Sequence, residues 1–159
     1  METKQVSSGT PPVELAGLFS DLVRLETELW DLVDHRLRND HGLPLSWFEP
    51  MQVIDSLVEC RVGDIAKALS ITVGGVSKLV DRIEHAGLCG RSPNPSDGRS
   101  SVVTLTEAGQ HMLKAARGSF DDELAARLAA AASPARLASF ASILRDLRQY
   151  NANLQGSAR

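Results

Sequence analysis

Apolar residues follow a helical beat through most of this chain. Leu15, Leu18, Leu22, Leu25, Leu29 and Leu32 recur in steps of three and four, the spacing of a coiled-coil seam. This predicts a helix over about 13–38, roughly 39 Å long. A helix of that length in so small a chain needs something to lie against, and a second copy is the natural candidate. His41, Gly42 and Pro44 break the beat. Ser46 to Glu49 then reads as a capping box, with Pro50 tolerable only in the first turn, and Met51, Ile54, Leu57 and Val58 give a second helix its buried stripe.

Between 62 and 88 the pattern shortens. Ile65, Leu69, Ile71, Val76 and Leu79 are spaced as two short helices crossing steeply would need, with small Ala66 at the approach and Thr72 placed to cap the second. An ordinary helical hairpin has the same arithmetic. The next stretch of chain separates the two. Residues 93–98 are a concentrated turn signal flanked by candidate strands at 88–92 and 99–105, the second rich in Val102, Val103 and Thr104. A helix-turn-helix followed by such a hairpin is a winged helix. Its second helix would enter a DNA major groove, and the hairpin tip would carry Arg99 toward the minor groove. Asp97 cannot help DNA binding by charge, so its expected work is to hold the wing turn and orient Arg99.

Helix resumes at Thr106, a good N-cap, and continues through Leu113, Phe120, Leu124 and Leu128. Ser133-Pro134 restarts it, and Leu137, Phe140, Ile143, Leu144 and Leu147 carry the last helix to about Asn153. The expected fold class is mainly α with a small β-hairpin wing: a winged helix-turn-helix domain plus a terminal-helix dimerisation region. The divisions are a polar tail at 1–12, an N-terminal dimerisation helix at 13–44, a DNA-binding region at 45–105, C-terminal dimerisation helices at 106–154 and a tail at 155–159.

Charge sharpens this picture. The 159 residues carry a net −3, which excludes a uniformly basic nucleic-acid coater and a polybasic membrane binder. Between 61 and 104, however, six basic side chains face four acidic ones. With seven aromatic residues in all, a base-stacking surface for single strands is not expected. No apolar stretch could span a bilayer and the first dozen residues lack a signal-peptide core. The expected location is the cytoplasm.

The runs at 77–88 (SKLVDRIEHAGL) and 97–109 (DGRSSVVTLTEAG) resemble the recognition helix and wing of the MarR family of bacterial transcriptional regulators. The order of helices extends the resemblance over about 13–153. It implies a homodimer, built from the terminal helices, that binds a pseudo-palindromic operator in double-stranded DNA as a repressor or activator. It also implies release by a small aromatic or anionic effector, or by an oxidant. Ser77, Lys78 and Arg82 match the helix positions that face DNA and Arg99 matches the wing arginine, while Arg61 and Lys67 are placed for phosphates.

The chain also departs from the family. Gly74 and Gly75 stand where side chains are usual, so backbone there would approach phosphate, with Val73 against thymine methyls and Thr72 beside them. Ser70 stands where the turn commonly has glycine, and Val62 is a poor start for the first motif helix.

Trp30, Trp47, Met51 and Met112 are candidates to line an effector pocket where the first, second and fifth helices meet, with core packing as the competing reading. Cys60 and Cys89 match no paired motif and read better as small buried hydrophobes than as sensors. His35, His41, His85 and His111 lack metal-site spacing, so no metal or cofactor is expected. No phosphate loop, nucleophile elbow or placed carboxylate pair suggests an enzyme. The alternative function is a helical dimer that reads a ligand or protein instead of DNA.

Overall fold

A computed structural model describes residues 13–94 and 97–157, with side chains for 13–94 and 100–154. The expected tail at 1–12 lies outside them. Six α-helices and one hairpin follow in the order α1 (Leu15–His41), α2 (Leu45–Ser56), α3 (Val62–Leu69), α4 (Val73–His85), β1 (Cys89–Asn94), β2 (Asp97–Leu105), α5 (Glu107–Leu124) and α6 (Pro134–Ser157). The mainly α winged-helix architecture matches the expectation from the sequence.

Helix α1 continues three residues past the expected end because its C-cap is supplied by Gly42. At φ 66° this glycine takes the left-handed conformation, and its N–H reaches the Arg38 carbonyl at 2.9 Å, a closure that suits a residue without Cβ. The start of α2 differs from the capping-box expectation. Pro44 is the N-cap and Ser46 lies inside the helix. The cap comes from another helix: Asp34 Oδ1 on α1 accepts the Leu45 N–H at 2.8 Å.

Pro50 also departs from expectation, sitting sixth in α2, beyond the first turn. It is fully buried beside Phe48, Met51 and Ile54, so packing outweighs the backbone hydrogen bond that a proline forfeits. The predicted stripe stops there. With α2 ended at Ser56, Leu57 and Val58 face solvent, Val58 at 97% exposure.

Val62, expected as a poor N-cap, is instead the first residue of α3; the N-cap is Arg61, whose N–H donates to Asp64 Oδ2 at 2.9 Å. The turn into α4 needs a left-handed residue, and Ser70 supplies it at φ 57°.

The strands pair antiparallel from Cys89↔Leu105 to Pro93↔Ser101, with an irregularity at Pro93/Asn94. Each runs two residues farther into the turn than the sequence pattern indicated. Val103 N–H also donates to the Cys60 carbonyl at 2.7 Å, which ties the wing to the segment ahead of α3.

At the base of the wing, Thr106 Oγ1 donates to the Gly87 carbonyl at 2.6 Å and accepts from Gly109 N–H at 3.0 Å. A Cβ at Gly109 would lie 1.9 Å from the Leu88 carbonyl oxygen, so only glycine allows this approach. Beyond α5, one π-helical turn at Ala125–Ala129 leads toward α6. That helix starts at Pro134 as its signal predicts and runs past Asn153 to Ser157. The core spans α1 to α5, centred on Phe48, Met51, Ile65, Val76, Val80, Ile83 and Leu113. Phe48 meets Phe120 of α5 with ring centroids 4.8 Å apart.

Candidate nucleic-acid interface

Val76, Val80 and Ile83 bury one face of α4, which fixes the face turned outward. On that outer side Thr72, Val73, Gly74, Gly75, Lys78 and Arg82 are exposed, and Ser77 is half-buried. The candidate contact residues carried by α4 and its cap therefore lie away from the buried face of that helix. Thr72 has a structural task too: Oγ1 accepts the Gly75 N–H at 3.2 Å, leaving its O–H free to donate. The glycine pair costs helix propensity, and this cap helps offset it.

Two acids share the helix with these cations. Asp81 and Glu84 would cancel Lys78 and Arg82 if they paired locally. They do not. Arg91 on β1 crosses to α4, donating through Nη2 to Asp81 Oδ1 at 2.6 Å and to the Ser77 carbonyl at 3.3 Å. Its Nη1 bonds the Glu84 carboxylate, which also accepts the Arg91 backbone N–H at 3.0 Å. Burial works against the Arg91 charge, but the two carboxylates outweigh it and hold its pKa above the usual arginine value. Among the described residues neither Lys78 nor Arg82 has an acidic partner within ion-pair distance.

Sequence reasoning missed Arg91. The signal was available: a basic residue in the strand next to a helix bearing acids at 81 and 84, on the same side as Ser77.

Lys67 is exposed on α3 and Arg61 is half-buried at its N-cap. Asp97 and Arg99 fall within β2, but their side chains lie outside those described.

The four residues proposed to line an effector pocket do not gather in one place. Met51 is sealed in the core and Met112 packs against it. Trp47 borders an open cleft of about 520 Å³ with Asp81, Arg82, His85 and Ala86. Only Trp30 faces the larger cleft, about 740 Å³, between α1, α2 and the later helices.

Cys60 and Cys89 are buried at 0% and 2% exposure. Burial first, with a nearby carboxylate second, pushes both thiols up to about 11. They are protonated at neutral pH, the opposite of an activated thiolate. His41 Nε2 lies 2.8 Å from Ser119 Oγ, joining α1 to α5. Among the described residues no three His, Cys, Asp or Glu side chains gather as metal ligands, and no helix is long and apolar enough to cross a membrane.

Comparison with known proteins agrees with this geometry. The MarR family model matches residues 48–101. A Mycobacterium bovis helix-turn-helix transcriptional regulator, Mb0904, is 35% identical over 119 residues, covering 72% of this chain and 79% of that protein. A Bacillus subtilis regulator of the same type, 28% identical over 83 residues, is matched over 58% of its own length. Among solved structures, the MarR family regulator Sco3205 of Streptomyces coelicolor in complex with DNA superposes with TM-score 0.79 at 22% identity, covering 90% of this chain and 92% of that one. CouR of Rhodococcus jostii RHA1 bound to p-coumaroyl-CoA gives 0.75 at 19% identity, over 86% and 95% of the two chains.

Proposed function

The chain belongs to the MarR family of transcriptional regulators, and from that premise we propose that it acts in the cytoplasm as a homodimer on a pseudo-palindromic operator, released by a small-molecule effector. The terminal regions, 13–44 and 106–154, join the two copies. The region 45–105 reads DNA. Two-fold symmetry sets the paired α4 helices one DNA turn apart, about 34 Å.

Lys78 and Arg82 meet phosphate or base edges, Ser77 and Thr72 donate hydroxyls, and Val73 touches thymine methyls. Gly74 and Gly75 let backbone approach phosphate, with Lys67 and Arg61 flanking. Arg99, steadied by Asp97, enters the minor groove.

The observation that carries this reading is the sorting of charge on α4. Arg91 pairs with both helix acids, so Lys78 and Arg82 stay outside that network on the exposed side of α4, where the five side chains sum to one positive charge. A surface for an apolar partner protein would not require that arrangement.

Fluorescence anisotropy on a random 30-base-pair duplex, titrated with salt, tests it. Binding should weaken steeply with salt, and Lys78→Ala, Arg82→Ala and Arg99→Ala should each lower the logarithmic slope by about 1. A salt-independent signal, or slopes unchanged in all three variants, would leave the interaction-module alternative standing.

A further inference from the structure

The larger cleft has walls of one character and charge of one sign. Leu22, Leu25 and Trp30 of α1, Leu69 at the end of α3, Phe120 of α5 and Phe140 of α6 contribute to a lining that is otherwise apolar. Its ionisable members are Glu26 of α1 and Glu49 of α2. Among the described residues neither carboxylate has an ion pair or side-chain hydrogen bond, and no cation lines the cleft.

Glu26 is exposed and Glu49 half-buried; holding the second against an apolar wall beside the first is unfavourable unless something opposite in charge arrives. Glu49 shows the strain: burial, then the charge of Glu26, raises its pKa above the ordinary carboxylate range. An anionic effector would meet two carboxylates and nothing to neutralise it. The cleft volume of about 740 Å³ lies within the range for small-molecule sites, and the indole of Trp30 offers a face that also favours a cation.

We propose that this cleft binds a small amphiphilic cation, its apolar body against the leucine and phenylalanine wall and its positive centre at Glu26 and Glu49. The proposal rests on the effector-controlled reading of the protein and gives that effector a chemical class. It also replaces the anionic class that the family resemblance suggested.

Two probes of the same shape and opposite charge test it. Tetraphenylphosphonium and tetraphenylborate are titrated into the intact protein by calorimetry, with Glu26→Gln and Glu49→Gln alongside. The cation should bind and the anion should not. Each Gln variant, isosteric but uncharged, should weaken the cation roughly tenfold, and Glu49→Gln, which removes the half-buried charge, should melt no lower than the parent. Equal binding of both ions, cation binding unaffected in both variants, or no cation binding overturns the proposal. That last result is what a cleft filled by a second copy of the chain would give. Operator affinity with and without the cation is read separately. A cation that binds in a carboxylate-dependent way but leaves DNA binding unmoved upholds the ligand class and removes the regulatory reading instead.

Discussion

Among the described residues, every apolar side chain fully withdrawn from solvent lies between Val33 and Ala116. Outside those limits, Leu15, Leu18, Phe19 and Val23 remain 42–74% exposed at one end, and Ile143, Leu147, Tyr150 and Leu154 remain 45–64% exposed at the other. The head closes its own core; the ends hold theirs open. Exposed apolar residues within the head are scattered by comparison: Leu57 and Val58 follow α2, and Ile71 and Val73 flank the start of α4. At the ends they recur along whole helices, the surface that the proposed pairing of two copies would cover. The same kind of residue thus closes a core in one region and, in the proposed dimer, an assembly in the other.

The comparison breaks first at the ends. Ile143→Glu combined with Leu147→Glu should convert the dimer to a monomer by sedimentation while circular dichroism keeps the helical signal. Operator affinity should fall by about 10²-fold or more, because the second half-site loses its tethered partner. If the double variant stays dimeric, α6 does not carry the assembly.

A smaller effect is expected inside the head. Gly109→Ala pushes a methyl into the Leu88 carbonyl and should cost about 1–3 kcal/mol, read as a lowered urea midpoint with the mass of the assembly unchanged. An unmoved midpoint would mean that the junction between wing and α5 yields easily.

The smallest change sharpens the picture in the stabilising direction. Ser70→Gly relieves a left-handed residue and should gain about 0.5 kcal/mol after glycine's own entropy cost. Ser70→Val should lose stability at the same site, so opposite shifts in melting temperature are the check.

Much of this was legible in the sequence because the decisive signals were local. The leucine steps of α1, the cap at Thr72, the turn at 93–98 and the proline restart at 134 are each written in adjacent residues. The features that sequence reading missed came from distant partners. Ser46 looked like a cap because Glu49 stands three residues on, but the bond that starts α2 comes from Asp34, eleven residues back and on another helix. Pro50 looked tolerable only in the first turn, yet the buried contacts of Phe48, Met51 and Ile54 hold it in the second. Arg91 was passed over for the same reason, since its three partners lie on a different element. On the outer face of α4 the residue choice held together because buried and exposed positions alternate with helical period. The effector residues did not, since tryptophan and methionine suit a core as well as a pocket.

The bond between Asp34 and the Leu45 amide couples α1 to α2. Burial opposes the charge of Asp34, yet Arg38 and that amide together hold its carboxyl below the ordinary range. A carboxylate that caps a neighbouring helix works like a pin through two levers. If the long arm turns about its axis, the pin withdraws and the first amide of α2 loses its acceptor. In the proposed dimer, torque applied to α1 would then reach α2 as the loss of that bond.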